Sequence, residues 1–431
     1  MEGLAILLFG AILIFMLTGY PVALVLGGVS AVVGFIFVPD FLDFLPLRIM
    51  GVLQNNLLMA VPLFVMMGLV LEKSGIAEEL LRSMGNVLRK FPGGLAVSVV
   101  LVGGILAAST GIVGATVITM GLISLPVMLK SGYHVSLSTG IIAASGTLGQ
   151  IIPPSVILVL LGSVLQVPVG DLFKAALIPG LVLMLFYVLF VMIFSLVYKN
   201  EKVNQSVLDE KKNWDEKQSL KQFLMALFFP LLLILMVLGS IFFGVASPTE
   251  AAGIGAFGAF LITFLKKKLT WSLCRHVMKE TSQLTTMVFF ILLGATTFAL
   301  VFRGLDGDEL LTSFVKESDL TAFQFLLLVM VVVFIAGFFI DFIEIIFIIV
   351  PVVAPIFVMY KMDLVWIGIL LALNLQTSFL TPPFGFALFY LKGVSPPEVR
   401  TVDVYKGVFP FIVIQIIVFG LYMFFPEWLV Y

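Results

Sequence analysis

Oxygen-bearing and helix-breaking residues gather at four places in an otherwise apolar chain. Ser109, Thr110, Gly111 and Gly114 stand in AASTGIVGAT, and Ser145, Gly146, Thr147 and Pro153 in ASGTLGQIIPP. Gly337 and Asp341 stand in GFFID, and Asn374, Gln376, Thr381 and Pro382 in NLQTSFLTPP. Hydroxyls, amides, a carboxylate and the backbone carbonyls released by an interrupted helix can ligate a small hard cation or hydrogen-bond a solute. No nucleophile, base and orienting residue are spaced for bond-making chemistry, and no GxxxxGK[ST] phosphate loop occurs. Binding and release is the chemistry these residues suit.

The prolines at Pro153-Pro154 and Pro382-Pro383 fall within apolar sequence and share matching surroundings. One proline inside a helix costs about 3 kcal/mol. Backbone left unsatisfied at membrane depth costs several kcal/mol per group, so broken helices persist only against protein or a solvated cavity. Taken singly, each Ser or Thr here also reads as a packing residue, and the glycines as sites of close helix approach. Asp341 and Glu344 stand apart, because an acid at the centre of a membrane helix costs at least ~2.5 kcal/mol and usually faces an interior or cavity. Glu344 reads also as a local partner, and Glu250 as an outer-interface residue.

The elements that must position these residues follow from composition. Of 431 residues 61% are hydrophobic and 11% charged, and apolar runs long enough to cross a bilayer recur along the chain. The fold class is an all-α polytopic membrane protein. A net charge of -1 gives no reason to propose nucleic acid, and a single cysteine, Cys274, excludes an intrachain disulfide and a cysteine metal cluster. The opening run MEGLAILLFGAILIFML lacks a basic region and a small-residue cleavage site, so it reads as a retained span.

Internal similarity divides the chain. TGYPVALVLGG matches ASPTEAAGIG, LEKSGIAEELL matches VFRGLDGDELL, Pro126 pairs with Pro355 and Pro154 with Pro383, all at nearly one offset. The reading is repeat one over 1–198, a linker over 199–221, and repeat two over 222–431. Spans are expected near 3–17, 20–38, 57–72, 135–167 and 173–198, then 222–243, 248–265, 280–302, 363–391 and 406–425. The segments 94–129 and 322–360 read as re-entrant helical hairpins, each made of pieces too short to cross. An odd number of crossings per repeat makes the second repeat inverted. The spans 135–167 and 363–391 are the ones broken at the double prolines.

Charge gives the orientation. With the linker cytoplasmic, the inside holds Lys73, Arg82, Arg89, Lys90, Lys130, the linker lysines, Lys266 to Lys268, Arg275, Lys279, Lys392, Arg400 and Lys406, most of the basic residues. Arg48, Lys174, Arg303, Lys316 and Lys361 fall outside, as do both termini. AEELLRSMGNVLRKF reads as an amphipathic helix on the inner membrane surface, and DELLTSFVKESD as its acidic outer counterpart. His134, in a turn, and His276, in a basic inner loop, read as surface residues. Arg303 reads as a helix-end arginine reaching for the interface.

The strings AASTGIVGATVITMGLISLPVML, ASGTLGQIIPPSVILVLLG, GFFIDFIEIIFIIVPVVAPIF and NLQTSFLTPPFGFALFYLKG, in this order, resemble the large membrane subunit of tripartite ATP-independent periplasmic (TRAP) transporters over essentially the whole chain. NLQTSFLTPPFGFALFYLKG and GATTFALVFRGLDGD look like the branch labelled mannitol/chloroaromatic. The resemblance implies a sodium-driven elevator carrier in a bacterial or archaeal cytoplasmic membrane, partnered by a small four-helix membrane subunit and a periplasmic binding protein that delivers a small organic acid. It implies no organic cofactor; sodium is the coupling ion. In the family, matching hairpin tips and unwound segments supply sodium ligands and face the substrate. That puts Ser109, Thr110, Gly111 and Gly114 with Ser145, Gly146, Thr147 and Pro153 in one pocket. It puts Gly337 and Asp341 with Asn374, Gln376, Thr381 and Pro382 in the other. Gln150 and Gln376 replace residues that are more often apolar in dicarboxylate-type members, which points away from C4-dicarboxylates. A standalone ion-coupled anion carrier is the alternative within transport, and a channel or membrane scaffold the alternative outside it.

Overall fold

In the computed structural model, residues 2–88, 91, 93–198 and 216–429 are described, and among them every regular element is a helix. Helices α1 (Glu2–Leu17) and α2 (Val22–Phe37) are followed by two short ones, α3 (Pro39–Leu42) and α4 (Leu45–Leu53), of which the hydropathy pattern gives no sign. Then come α5 (Ala60–Lys73), α6 (Ile76–Leu88), the hairpin arms α7 (Gly94–Thr110) and α8 (Val113–Lys130), the pieces α9 (Val135–Thr147) and α10 (Val156–Leu165) of a broken span, and α11 (Val169–Val197). The second half runs α12 (Glu216–Phe242), α13 (Pro248–Leu265), α14 (Trp271–Gly304), α15 (Gly307–Glu317), α16 (Ala322–Ala336), α17 (Phe342–Ile348), α18 (Val350–Met359), α19 (Leu364–Leu380), α20 (Phe386–Val394) and α21 (Thr401–Phe424). The linker expected over 199–221 lies outside the described residues as far as 215, as do Arg89 and Lys90; its last residues are already helical.

Several helix starts are encoded by reciprocal caps, each contributing about 1 kcal/mol. Ser247 and Glu250 satisfy each other's backbone N–H at the head of α13, as Thr321 and Gln324 do for α16. The Asp363 carboxylate accepts from the Val365 N–H at 2.8 Å and starts α19.

Two expectations are corrected, and one bend is added. The returning arm of the first hairpin is not short: α8 has 18 residues and is long and apolar enough to cross by itself, while α7, with 17, falls just below that length. The second hairpin's returning arm is bent by 50° between α17 and α18, where Pro351 removes an N–H and disfavours helical geometry before it. Helix α14 begins at Trp271, so Arg275, His276 and Lys279 lie on a helix and not in a loop. Among the described residues seven helices are long and apolar enough to span a membrane, eight counting the bent pair. The broken spans do not qualify singly because their pieces are 13, 10, 17 and 9 residues long.

Packing crosses between the halves. Helix α2 lies along α14, and α5 lies along α13. The sequence alignment matches α2 with α13 and α5 with α14, so each of α2 and α5 packs on the counterpart of the other. At the first contact a Cβ added to Gly294 would stand 2.6 Å from the Ala23 carbonyl oxygen, so the two backbones touch. The amphipathic α6 packs on protein: Ile76, Leu80, Leu81 and Met84 are buried, and its neighbours are α7 and α12. The segment expected as its outer counterpart, α15, packs on α1 and α14. Phe35, Phe257 and Phe409 point outward, as residues facing lipid do.

Candidate functional site: two hairpin tips on two broken spans

Each break contains a double proline, and both Pro153–Pro154 and Pro382–Pro383 peptide bonds are cis. The first break is held by the Ser155 hydroxyl, which donates to the Gln150 carbonyl at 2.9 Å, and residues 151–155 are all buried. The tip of the first hairpin turns at Gly111, whose φ of +62° suits glycine. A Cβ there would stand 3.0 Å from the Val156 N, so the tip rests on the first residue after the break.

Hydroxyls near this tip share one pattern. Ser109 donates to the Leu106 carbonyl at 2.8 Å, Ser145 to Ile142 at 3.2 Å and Thr147 to Ala144 at 2.8 Å. A hydroxyl that spends its proton on its own helix keeps oxygen lone pairs for a cation. Thr110 and Thr116 lie 2.7 Å apart across the turn, with Thr116 also 3.1 Å from the Ile112 carbonyl.

The predicted first group divides into levels. Ser109, Thr110 and Gly111 sit at the tip near the break, whereas Ser145 packs against Gly103 and Gly146 against Val117, farther down the hairpin arms. Gly114 does not face the first break at all. A Cβ on it would stand 2.9 Å from the Tyr390 ring of α20, in the other broken span.

At the second site Gly337 meets Ser378 of α19, and Phe339 at the tip packs on Phe384 of the break, ring centroids 5.4 Å apart and planes tilted by 42°. Asp341 caps α17: its Oδ1 accepts from the Phe342 N–H at 2.8 Å, and Glu344 accepts from the Asp341 N–H at 3.3 Å. Glu344 is thus a local partner, one of the two roles the sequence left open. Glu250 is tied to Ser247 in a helix cap in the same way. Asn374 donates to the Met330 carbonyl at 2.6 Å, joining the broken span to the hairpin arm. Thr381 donates to the Thr377 carbonyl at 2.8 Å. Unlike the first break, this one is partly open, with Pro383 and Phe384 exposed.

Gln376 departs from its group. It is fully buried, neither amide atom has a hydrogen-bond partner, and it faces the Tyr187 hydroxyl of α11 together with Gln415 of α21. No hydrogen bond of ordinary geometry joins the three. The side-chain amide of Gln150 beside the first break is likewise buried without a partner.

Sequence reasoning passed over Thr116, Ser378, Tyr187, Gln415 and Glu72. Thr116 and Ser378 lie within the quoted motifs, so a wider window would have included them. Gln415 and Glu72 are polar residues in apolar runs, which is a usable signal. Tyr187 carries none.

The chain matches, over residues 9–428, the family described as "Tripartite ATP-independent periplasmic transporter, DctM component". It belongs to that family. DctM-family permeases are multi-pass inner-membrane transporters and not enzymes. The C4-dicarboxylate TRAP transporter large permease protein DctM of Pseudomonas aeruginosa is 33% identical over 371 residues, 86% of this chain and 85% of that one. The ectoine TRAP transporter large permease protein TeaC of Halomonas elongata is 28% identical and covers 96% of this chain and 95% of its own. Among solved structures, the YdaH transporter of Alcanivorax borkumensis superimposes with a TM-score of 0.63 over 94% of this DctM chain and 97% of its own. At 13% sequence identity that likeness is one of fold.

Proposed function

We propose that the chain is the permease subunit of a sodium-coupled secondary transporter that imports a small organic acid delivered by a periplasmic binding protein. The observation that carries this reading is the seating of each hairpin tip on a broken span, Gly111 on Val156 and Gly337 on Ser378. Two inverted repeats, 1–198 and 222–431, account for that duplication and for the reciprocal packing of α2 on α14 and α5 on α13. In this reading the hairpins and broken spans form a body that moves between the faces of the membrane while α1, α2, α5, α13 and α14 hold still.

Sodium is bound at the tips by Ser109, Thr110 and Gly111, with Thr147 and Pro153 from the first break. The second hairpin tip contributes Gly337 and Asp341, the second break Asn374, Thr381 and Pro382, and Gln376, buried behind the break, acts on solute choice through the packing of α19. Ser145, Gly146 and Gly114 support the arms. Each sodium ion entering down a 100 mV potential contributes about 2.3 kcal/mol. A small four-helix membrane subunit completes the permease. Relatives named for C4-dicarboxylate and for ectoine cover almost the same length of chain, so solute choice rests on local residues. The polar pair Gln150 and Gln376 supports an organic acid of the mannitol/chloroaromatic branch.

Reconstitution in liposomes tests this. With the small subunit and the binding protein present, an inward sodium gradient drives uptake of a radiolabelled organic acid, and removing either sodium or the binding protein abolishes it. Sodium-driven uptake that persists without the binding protein replaces this reading with a standalone carrier. A sodium-independent conductance replaces it with a channel.

A further inference from the structure

Glu72 is the most buried carboxylate among the described residues, its side chain 3% exposed. It sits near the end of α5, and what it touches lies on other elements. The Thr119 hydroxyl on hairpin arm α8 donates to its Oε1 at 2.5 Å. Lys73 Nζ is 3.4 Å from the same oxygen and 3.7 Å from Glu280 on α14, and the second Glu280 oxygen is 2.9 Å from His276 Nε2. The other oxygen of Glu72 has no partner. One turn earlier on α5 is Gly68, where a Cβ would fall 2.3 Å from the Thr110 Cα. Residues four apart share a helix face. Helix α5 therefore offers the first hairpin a bare notch at its tip and a carboxylate at its returning arm.

The two contacts differ in kind. The notch is a matter of shape and lets backbone slide along it. The carboxylate is directional, and an O–H···O⁻ bond near 2.5–2.7 Å is about twice as strong as its neutral equivalent. An acid with one orphaned oxygen is also costly at membrane depth, which marks such a residue for a role beyond packing. The charged and titratable groups facing Glu72 are Lys73 on its own helix and Glu280, backed by His276, on α14; α8 presents only the Thr119 hydroxyl.

We propose that Glu72 is the positioning residue that fixes the first hairpin against α5, its ionised carboxylate holding Thr119, so that protonation of Glu72 frees the hairpin to move. This rests on the reading that the hairpin moves relative to the body containing α5. Sodium occupancy at the tip and protonation at Glu72 then act on the same hairpin at two places, the turn and the returning arm.

The test uses the full chain in liposomes, in a Cys274→Ser background, with spin labels at Leu122 on α8 and Phe257 on α13, two exposed positions. The inter-label distance is measured between about pH 8 and about pH 5. Wild type is expected to show one distance at the upper end and a second population growing with a one-proton dependence as pH falls. Glu72→Gln keeps the shape and removes the charge; it is expected to raise the ratio of second to first population about tenfold at the upper end and to lose the pH dependence. Thr119→Val is expected to raise the same ratio with Glu72 intact. A Glu72→Gln distribution that matches wild type at every pH overturns the proposal, and so does a pH dependence that survives Glu72→Gln but vanishes in His276→Asn. Sodium-driven uptake is measured on the same variants reconstituted with the small subunit and the binding protein. A pH-dependent distance without uptake defeats the transport reading and leaves the hairpin switch standing; uptake without any Glu72-dependent distance change defeats the switch alone.

Discussion

Gly337 and Ser378 meet so closely that a Cβ on the glycine would stand 2.1 Å from the serine Oγ and 2.8 Å from its Cβ. At nearly the corresponding place in the first half, a Cβ on Gly149 would stand 2.2 Å from the Ala107 carbonyl oxygen. Each hairpin is thus pressed onto its broken span at one spot where no side chain fits. The partners are exchanged: the glycine is on the hairpin in the second half and on the broken span in the first.

Gly337→Ala is expected to unseat the second hairpin tip. Overpacking of this kind costs about 1–3 kcal/mol, roughly a tenfold loss of uptake. Ser378→Gly in the same chain removes the obstructing hydroxymethyl and is expected to recover most of the loss. Uptake by the double variant that stays at the level of Gly337→Ala would show that the two residues do not oppose each other.

Thr116→Val deletes the hydroxyl that meets Thr110 across the first hairpin turn at 2.7 Å. Losing one partner of a buried hydroxyl pair costs about 1 kcal/mol or more, so the sodium concentration for half-maximal uptake is expected to rise several-fold. Thr116→Ser keeps the oxygen and should stay near wild type. An unchanged sodium dependence in the valine variant would remove this turn from the ion site.

Gln415 and Gln376 face the same Tyr187 hydroxyl but are expected to answer differently to leucine. An unsatisfied buried amide costs about 1–3 kcal/mol, so Gln415→Leu should raise the thermal midpoint of the detergent-solubilised protein by a few degrees with solute selectivity intact. Gln376→Leu should change the ranking of competing organic acids. Unaltered ranking would retire Gln376 as a determinant of solute choice.

Glu79 ties the surface helix α6 to the turn after α13, accepting from Lys266 at 3.0 Å and Lys268 at 3.1 Å. Partial burial acts to raise its carboxyl pKa, but the two lysines together bring it below the ordinary value of 4.5. A depressed folded pKa means that the tie is fully present above about pH 4.5 and is lost as pH falls through the lower folded value. Spin labels at the exposed Arg82 and Lys267 should hold one distance from pH 8 down to about 5 and spread below about 4. Glu79→Gln should be spread throughout; a variant as narrow as wild type would show that α6 is held by its apolar face alone. Because the pair is partly exposed, the effect is a loosening of α6 and not unfolding.

The sequence by itself determined the class of the protein, where its helices are interrupted and which family it joins. Those properties are local: apolar runs, double prolines, caps such as Ser247 with Glu250, and motifs in order. It also located the residues at both tips and both breaks, because hydroxyls, glycines and prolines are conspicuous in a chain of leucine, isoleucine and phenylalanine. What only the tertiary structure decided was which of them face each other. Gly114 turned to Tyr390, Ser145 and Gly146 lay below the tip, Gln376 faced Tyr187 and Gln415, and Glu72 reached Thr119. These depend on the rotation and relative depth of helices, and a membrane helix that is apolar on all sides carries little record of either, since lipid and protein neighbours ask for the same side chains. The bend before Pro351 and the full lengths of α7, α8 and α14 were hidden for the same reason. Apolarity marks that a segment is in the membrane, but packing against other helices decides how far it runs and which way its few oxygens point.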